Sequence, residues 1–227
     1  MTKHIPNFLT LCNVACGCYG VVAVFKGDLQ TGSIMIWAGA LFDFFDGFAA
    51  RMLRKFSAIG KDLDSLADLI TFCFLPASIL FALIDQYSVN NWMPYVGYLL
   101  VLFGALRLAK FNNDSRQSDT FYGLPVPASG IFVSALPFIS GVEHSGFAGF
   151  LTSYYALAVI SILLSLMMVS DIKLMSLKFK ELSIKANWQR FLLILISLIL
   201  LVVFNIVALP FIIILYVVLS VTLNIIE

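Results

Sequence analysis

Eight stretches of the 227-residue chain run for about the length of a membrane-crossing helix with few charges: roughly 8–26, 31–53, 62–85, 92–111, 124–140, 150–170, 189–206 and 208–226. Crossing a bilayer core takes about 20 mostly apolar residues in a helix. Inside that core only structures that satisfy their own backbone groups survive. The pattern predicts an all-α fold, a polytopic integral membrane helical bundle of about eight transmembrane helices. Composition closes the soluble alternative. The chain is 61% hydrophobic and 12% charged, against about 25% charged in an ordinary soluble domain. The stretches are evenly spread with no low-complexity linker. Residues 1–227 therefore read as one domain, a core over 5–170 followed by an extra helix pair over 189–226. The stretch at 124–140 is short and holds Pro125, Pro127 and Pro137. The last two stretches almost touch, with Pro210 just past their junction.

Cys12, Cys16, Cys18 and Cys73 all lie in apolar stretches and read as small buried hydrophobes, not as a disulfide framework or zinc site. His4 and His144 are too far apart to pair as ligands, and the N-terminus is expected to carry no cleavable signal. Charge placement sets orientation. With eight spans both termini share a side, and of the 14 Lys and Arg only Lys26 falls on the other. The basic side is the cytoplasmic one, so the chain is expected in the cytoplasmic membrane, multi-pass. A net charge of +1 makes no case for a nucleic-acid partner. The polar loop from Asp171 to Arg190 reads as positive-inside topology or as a contact for anionic lipid headgroups.

Four acids interrupt the second and third stretches. At about 100° per residue, Asp43, Asp46, Gly47 and Ala50 share one helix face, and Gly60, Asp64 and Asp68 share another. Side by side, the two helices aim four carboxylates at one point, with small residues leaving room beside them. Carboxylates packed so closely repel unless something positive sits among them, and ionisable residues within a membrane are functional by default. Oxygen-only donors suit hard divalent cations, magnesium or manganese, as a pair. Such a site orients a phosphoryl group and assists a departing oxygen, and one carboxylate can remain free to take a proton from a hydroxyl.

The run D-x2-D-G-x2-A-R-x8-G-x3-D-x3-D from Asp43 to Asp68 resembles the signature of the CDP-alcohol phosphotransferase family, integral-membrane enzymes of phospholipid synthesis. The resemblance implies that Asp43, Asp46 and Asp64 bind metal and that Asp68 completes the second ion's shell and acts as general base. It further implies that Gly47 and Ala50 leave space for a cytidine nucleotide with Arg51 near it, and that Gly60 permits close approach. Arg51 also has a plainer reading, a snorkelling cation at the membrane edge. Within the family, I-P-N-F-L-T-L-C-N-x3-G at Ile5 to Gly17, R-L-A-K-F-N at Arg107 to Asn112 and G-L-P-V-P-A at Gly123 to Ala128 resemble the bacterial and archaeal phosphatidylserine synthase branch. That branch implies CDP-diacylglycerol as donor, L-serine as acceptor, CMP as leaving group and a homodimer. Clear motifs cover residues 5 to 130; the last two helices match only in layout.

Thr10 and Asn13, at i and i+3, are placed to bond the donor's diphosphate, or are simply polar residues at a capped helix start. Arg107 and Lys110 share a face at a cytoplasmic helix end, suited to an acceptor carboxylate or to positive-inside topology. Glycerol 3-phosphate or an inositol phosphate is the alternative acceptor, and would favour a denser basic cluster. A cation transporter would account for the acids but not for Gly47, Ala50, Arg51 and Gly60 at their spacings.

Overall fold

The computed structural model describes residues 4–53, 58–88, 92–114, 121–140, 149, 153–175 and 187–226. Helix α1 (Ile5–Phe25) opens with Pro6 in its first turn, where the missing N–H has no helical partner to lose. It ends at Gly27, whose φ of +85° is a turn conformation that glycine adopts without strain. Asp28 then caps α2 (Leu29–Met52), accepting from the Thr31 N–H at 2.9 Å. That hydrogen bonding holds the Asp28 carboxyl below its ordinary pKa. With so short a turn, α1 and α2 pack together as a hairpin.

Helix α3 (Ala58–Asp68) does not continue as the plain helix that its apolar run suggests. It widens into a π-helical segment, Leu69–Phe74, before α4 (Leu75–Tyr87). Pro76 supplies the reason. In a regular helix its ring clashes with the carbonyl four residues back, here that of Phe72, and a π turn accommodates the misfit. Thr71, Phe72 and Cys73 within the wide turn are fully buried. Thr71 Oγ1 donates to the Asn13 carbonyl at 3.0 Å. A Cβ on Gly17 would stand 2.5 Å from Thr71 Oγ1, and one on Gly39 would collide with Thr71 Cγ2. Two glycines, one on each hairpin helix, thus let the π segment seat against α1 and α2.

A 3-10 turn, Met93–Tyr98, leads into α5 (Leu99–Asn113). Beyond it the all-α expectation needs one small amendment. Strand β1 (Phe121–Tyr122) pairs antiparallel with β2 (Lys173–Leu174), Phe121 opposite Leu174 and Tyr122 opposite Lys173. Gly123, at φ +75°, extends this strap: its N–H donates to Ile172 O at 2.9 Å, and that of Leu124 to Met167 O at 2.9 Å.

The proline-rich stretch breaks in two, α6 (Val126–Ser134) and α7 (Leu136–Ser140), parted at Ala135. Pro137 cannot donate into a continuous helix and so ends it. Helix α8 (Tyr154–Val169) is capped by Ser153, which accepts from the Ala156 N–H at 3.3 Å. Helices α9 (Trp188–Phe204) and α10 (Ala208–Ile226) flank a short 3-10 turn. The break between them falls at Asn205, φ +52°. Pro210 lies inside the first turn of α10.

Among the described residues, five helical runs are long and apolar enough to cross a bilayer: Ile5–Phe25, Leu29–Met52, Ile59–Gln86, Met93–Asn113 and Trp188–Thr222. Val126–Ser140 and Tyr154–Val169 are shorter apolar helices. The architecture is a multi-pass helical membrane bundle. Its centre is α4, where Leu75, Ala77, Ile79, Leu80 and Ile84 are fully buried. Exposed residues such as Leu195, Leu198 and Val202 on α9 suit contact with lipid rather than water.

Lys61 Nζ donates to Asn112 O at 2.6 Å, Asn112 Nδ2 to Ser65 Oγ at 2.8 Å, and Lys110 Nζ to Val169 O at 3.5 Å. These bonds gather the start of α3 and the ends of α5 and α8 at one end of the bundle. Lys3, Arg54, Lys55, Arg116, His144, Lys178, Lys180 and Lys185 lie outside the described residues, as does most of the polar loop of 171–190.

Candidate active site

Both α2 and α3 pack on α1, and the acids come together between the second half of α2 and the second half of α3. One carboxylate oxygen each from Asp43, Asp64 and Asp68 lies within 4.8 Å of the other two. Asp43 and Asp64 approach within hydrogen-bond reach. The helical spacing holds here because all three precede the π segment. Asp46 falls outside that 4.8 Å triad, although it interacts electrostatically with its members. It is buried, and its Oδ2 accepts from Thr10 Oγ1 at 2.6 Å.

This donor set matches a hard cation. Around one ion at about 2.0–2.6 Å, opposed oxygen donors stand about 4–5 Å apart, the spread seen among the three aspartates. Asp64 Oδ1 and Asp68 Oδ1 are also buried without a hydrogen-bond partner among the described residues. Buried, unpaired carboxylate oxygens are strongly unfavourable, and a divalent ion among them removes that penalty.

The glycine face beside the acids is open. The nearest atom to a Cβ built on Gly47 is Arg51 Nη2, at 4.0 Å. Ala50 is half-buried and Arg51 exposed, so the small residues of this face have one guanidinium beside them. Gly60 is half-buried on α3, one turn before Asp64.

Thr10 and Asn13 are turned towards the chain itself. Thr10 also lies 3.1 Å from Pro6 O, and the shorter contact with Asp46 makes it a brace for that carboxylate. Asn13 is fully enclosed, with both amide atoms unpartnered among the described residues. In this conformation neither lies open to a diphosphate.

Arg107 and Lys110 share a helix face but not an environment. Lys110 is exposed. Arg107 is 5% exposed, its guanidinium 5.0 Å from the Phe111 ring centroid and its Nε donating to Leu124 O at 3.1 Å. Its Nη2 is buried without a partner among the described residues. Arg107 and Asp68 interact electrostatically, which brings the guanidinium to the edge of the acid cluster. Helical spacing could not reveal it, because α5 meets α3 only through tertiary packing. The Thr10 brace on Asp46 and the Leu124 carbonyl under Arg107 were likewise missed. The tight glycine pattern of α1 was their nearest sequence signal.

A family model described as CDP-alcohol phosphatidyltransferase matches residues 3–169. The chain belongs to that family. It is a membrane transferase of phospholipid biosynthesis, and all four aspartates, with Arg107 and Lys110, fall inside the matched span. The chain is 36% identical over 141 residues to the CDP-diacylglycerol–serine O-phosphatidyltransferase of Bacillus subtilis (strain 168), covering 60% of this chain and 76% of the relative. It is 30% identical over 174 residues to the archaetidylserine synthase of Methanothermobacter thermautotrophicus, 74% of this chain and 68% of the relative. Over 202 residues it is 29% identical to the CDP-diacylglycerol–serine O-phosphatidyltransferase of Helicobacter pylori (strain J99), 85% of this chain and 79% of the relative. Helix α10 lies beyond the family-matched span.

Proposed function

We propose that this enzyme transfers a phosphatidyl group from CDP-diacylglycerol to the hydroxyl of L-serine, forming phosphatidylserine and releasing CMP. The observation that carries the chemistry is the convergence of Asp43, Asp64 and Asp68 oxygens within 4.8 Å, beside the open face at Gly47. The acceptor rests on relatives named for serine transfer. In the proposed reaction the serine Oγ attacks the phosphorus that carries the diacylglycerol. The bond from that phosphorus to the oxygen bridging it to CMP breaks, and its electron pair leaves with CMP. Asp68 Oδ1, buried and unpartnered, takes the hydroxyl proton. When bound, a pair of magnesium or manganese ions held by Asp43, Asp64, Asp68 and the braced Asp46 would orient the diphosphate and neutralise its charge.

Around that step the other residues hold the substrates. Gly47, Ala50 and Gly60 admit the cytidine, with Arg51 at the rim. Arg107 takes the serine carboxylate through its free Nη2, and Lys110 attracts the acceptor at the mouth. A phosphate-bearing acceptor would favour several buried cations; support for serine comes from Arg107 being the one buried guanidinium among the described residues. Eight spans remain our reading: Asn205 divides the long C-terminal run in two, and the two shorter apolar helices cross as kinked or thinned segments. Lys61, Lys110 and Lys173 at the aspartate end, with Lys26 at the other, favour a place in the cytoplasmic membrane with the active site facing the cytoplasm; the homodimer rests on the family resemblance alone.

The test is CMP release by purified, lipid-reconstituted protein given CDP-diacylglycerol and either serine or glycerol 3-phosphate. Serine-dependent release supports the reading; preference for glycerol 3-phosphate overturns it. In the same assay Arg107→Ala is expected to lower kcat/KM for serine by roughly 10–150-fold. A charge-assisted contact contributes about 1.5–3 kcal/mol and each 1.4 kcal/mol is about tenfold. Lys110→Ala, at an exposed side chain, is expected to change it by less. Gly47→Leu should raise the KM for CDP-diacylglycerol at least about tenfold while the thermal unfolding midpoint stays put, because the added side chain enters open space beside Arg51 rather than a packed core. Unchanged donor KM in that variant would move the nucleotide to another face.

A further inference from the structure

Helix α10 is aliphatic almost throughout, yet it carries Tyr216, only 7% exposed. Its hydroxyl donates to the Met175 carbonyl at 2.9 Å. Met175 directly follows β2, which pairs with β1. From β1 the chain continues through Gly123, whose N–H is bonded to Ile172 O, to Leu124, whose N–H is bonded to Met167 O. The Leu124 carbonyl receives Arg107 Nε at 3.1 Å. A short path of hydrogen bonds and backbone thus runs from a helix outside the family-matched span to the guanidinium at the edge of the aspartate cluster.

The path has little slack. Gly123 sits at φ +75°, and a Cβ there would stand 2.5 Å from Met168 O, so the strap lies directly on the end of α8. Leu124 and Leu174 are each 1% exposed. Tyr216 and Arg107 also interact electrostatically.

We propose that Tyr216 is a positioning residue for acceptor binding: by anchoring the Met175 carbonyl it fixes the β1–β2 strap, and with it the Leu124 carbonyl that sets how Arg107 presents its free Nη2. The C-terminal helix pair is then part of the acceptor subsite's frame and not only a lipid-facing addition. Its ligand class is a small zwitterion with a carboxylate.

The inference rests on Arg107 engaging the acceptor carboxylate, as set out above. The experiment is serine and CDP-diacylglycerol kinetics for the full-length wild type, Tyr216→Phe, Arg107→Lys and the double variant, in reconstituted membranes. Phenylalanine keeps the ring and removes only the hydroxyl. Tyr216→Phe is expected to raise the serine KM about three- to tenfold, with kcat and the donor KM within about twofold of wild type. In the Arg107→Lys background, where the fork geometry is already lost, the same change should raise it less than about twofold. That coupling is the signature of action through Arg107. Equal loss in kcat and both KM values would mean a purely structural tyrosine, and an unchanged serine KM would mean no role; either overturns the inference. If Arg107→Lys itself leaves the serine KM unmoved, the carboxylate reading falls and this inference with it. If Arg107→Lys raises it and Tyr216→Phe does not, this inference alone falls.

Discussion

Asp68→Asn is expected to lower kcat by about 10²–10⁴-fold, the usual range for loss of a general base, while the KM for CDP-diacylglycerol moves by less than about tenfold. Asparagine has nearly the shape of aspartate but cannot accept the serine hydroxyl proton. Asp68 Oδ1 is the candidate acceptor because it is buried and without a hydrogen-bond partner among the described residues and because Arg107 interacts electrostatically with its carboxylate. The measurement is steady-state CMP release over a serine series, with donor binding followed separately. A variant that turns over like wild type would place the base on another residue. A variant that loses donor binding as severely as turnover would make Asp68 chiefly a metal ligand.

Removing divalent metal is expected to abolish turnover, and magnesium or manganese added back after chelation and dialysis to restore it. The three converging carboxylates present a concentrated negative charge to a substrate that is itself a diphosphate. Without a cation the site repels what it must bind. The same argument predicts a stability effect that needs no turnover. An ion that binds only the folded protein stabilises it by about 2.7 kcal/mol at 100 times its Kd, so the unfolding midpoint of the detergent-solubilised protein should rise as metal is titrated. Asp43→Asn, which removes one of the three charged oxygens, should shift that titration to at least about tenfold higher metal. Substantial activity after exhaustive chelation would remove metal from the proposed reaction.

The aspartate cluster was legible in sequence because its geometry is local. Asp43 with Asp46, and Asp64 with Asp68, are set by helical periodicity alone, and the polar-in-apolar contrast marks them as expensive to bury. Helix existence was legible for the same reason: an apolar run of bilayer length has few alternatives. Helix interiors were less legible. Pro137 within the fifth run gave warning of irregularity, whereas Pro76 within the third was not read as one. Whether each would bring a kink, a break or a π turn depended on what packed around it. Around Thr71 it was Gly17 and Gly39 that admitted the wide turn.

The sequence by itself determined an all-helical membrane bundle, the pairing of acids on two faces and the small residues beside them, since each of these follows from chemistry repeated every three or four residues. Tertiary structure alone decided that Asp43, Asp64 and Asp68 form the closest group and that Asp46 takes a hydrogen bond from Thr10. It alone separated Arg107, buried on the Leu124 carbonyl, from Lys110, exposed a single helical turn away. It alone brought Tyr216 of the last helix to the strap that carries that carbonyl. The physical reason is the same in all three cases. Periodicity says which side chains share a face of one helix, but a carboxylate, a guanidinium or a hydroxyl takes its partner from whichever helix packing sets against that face.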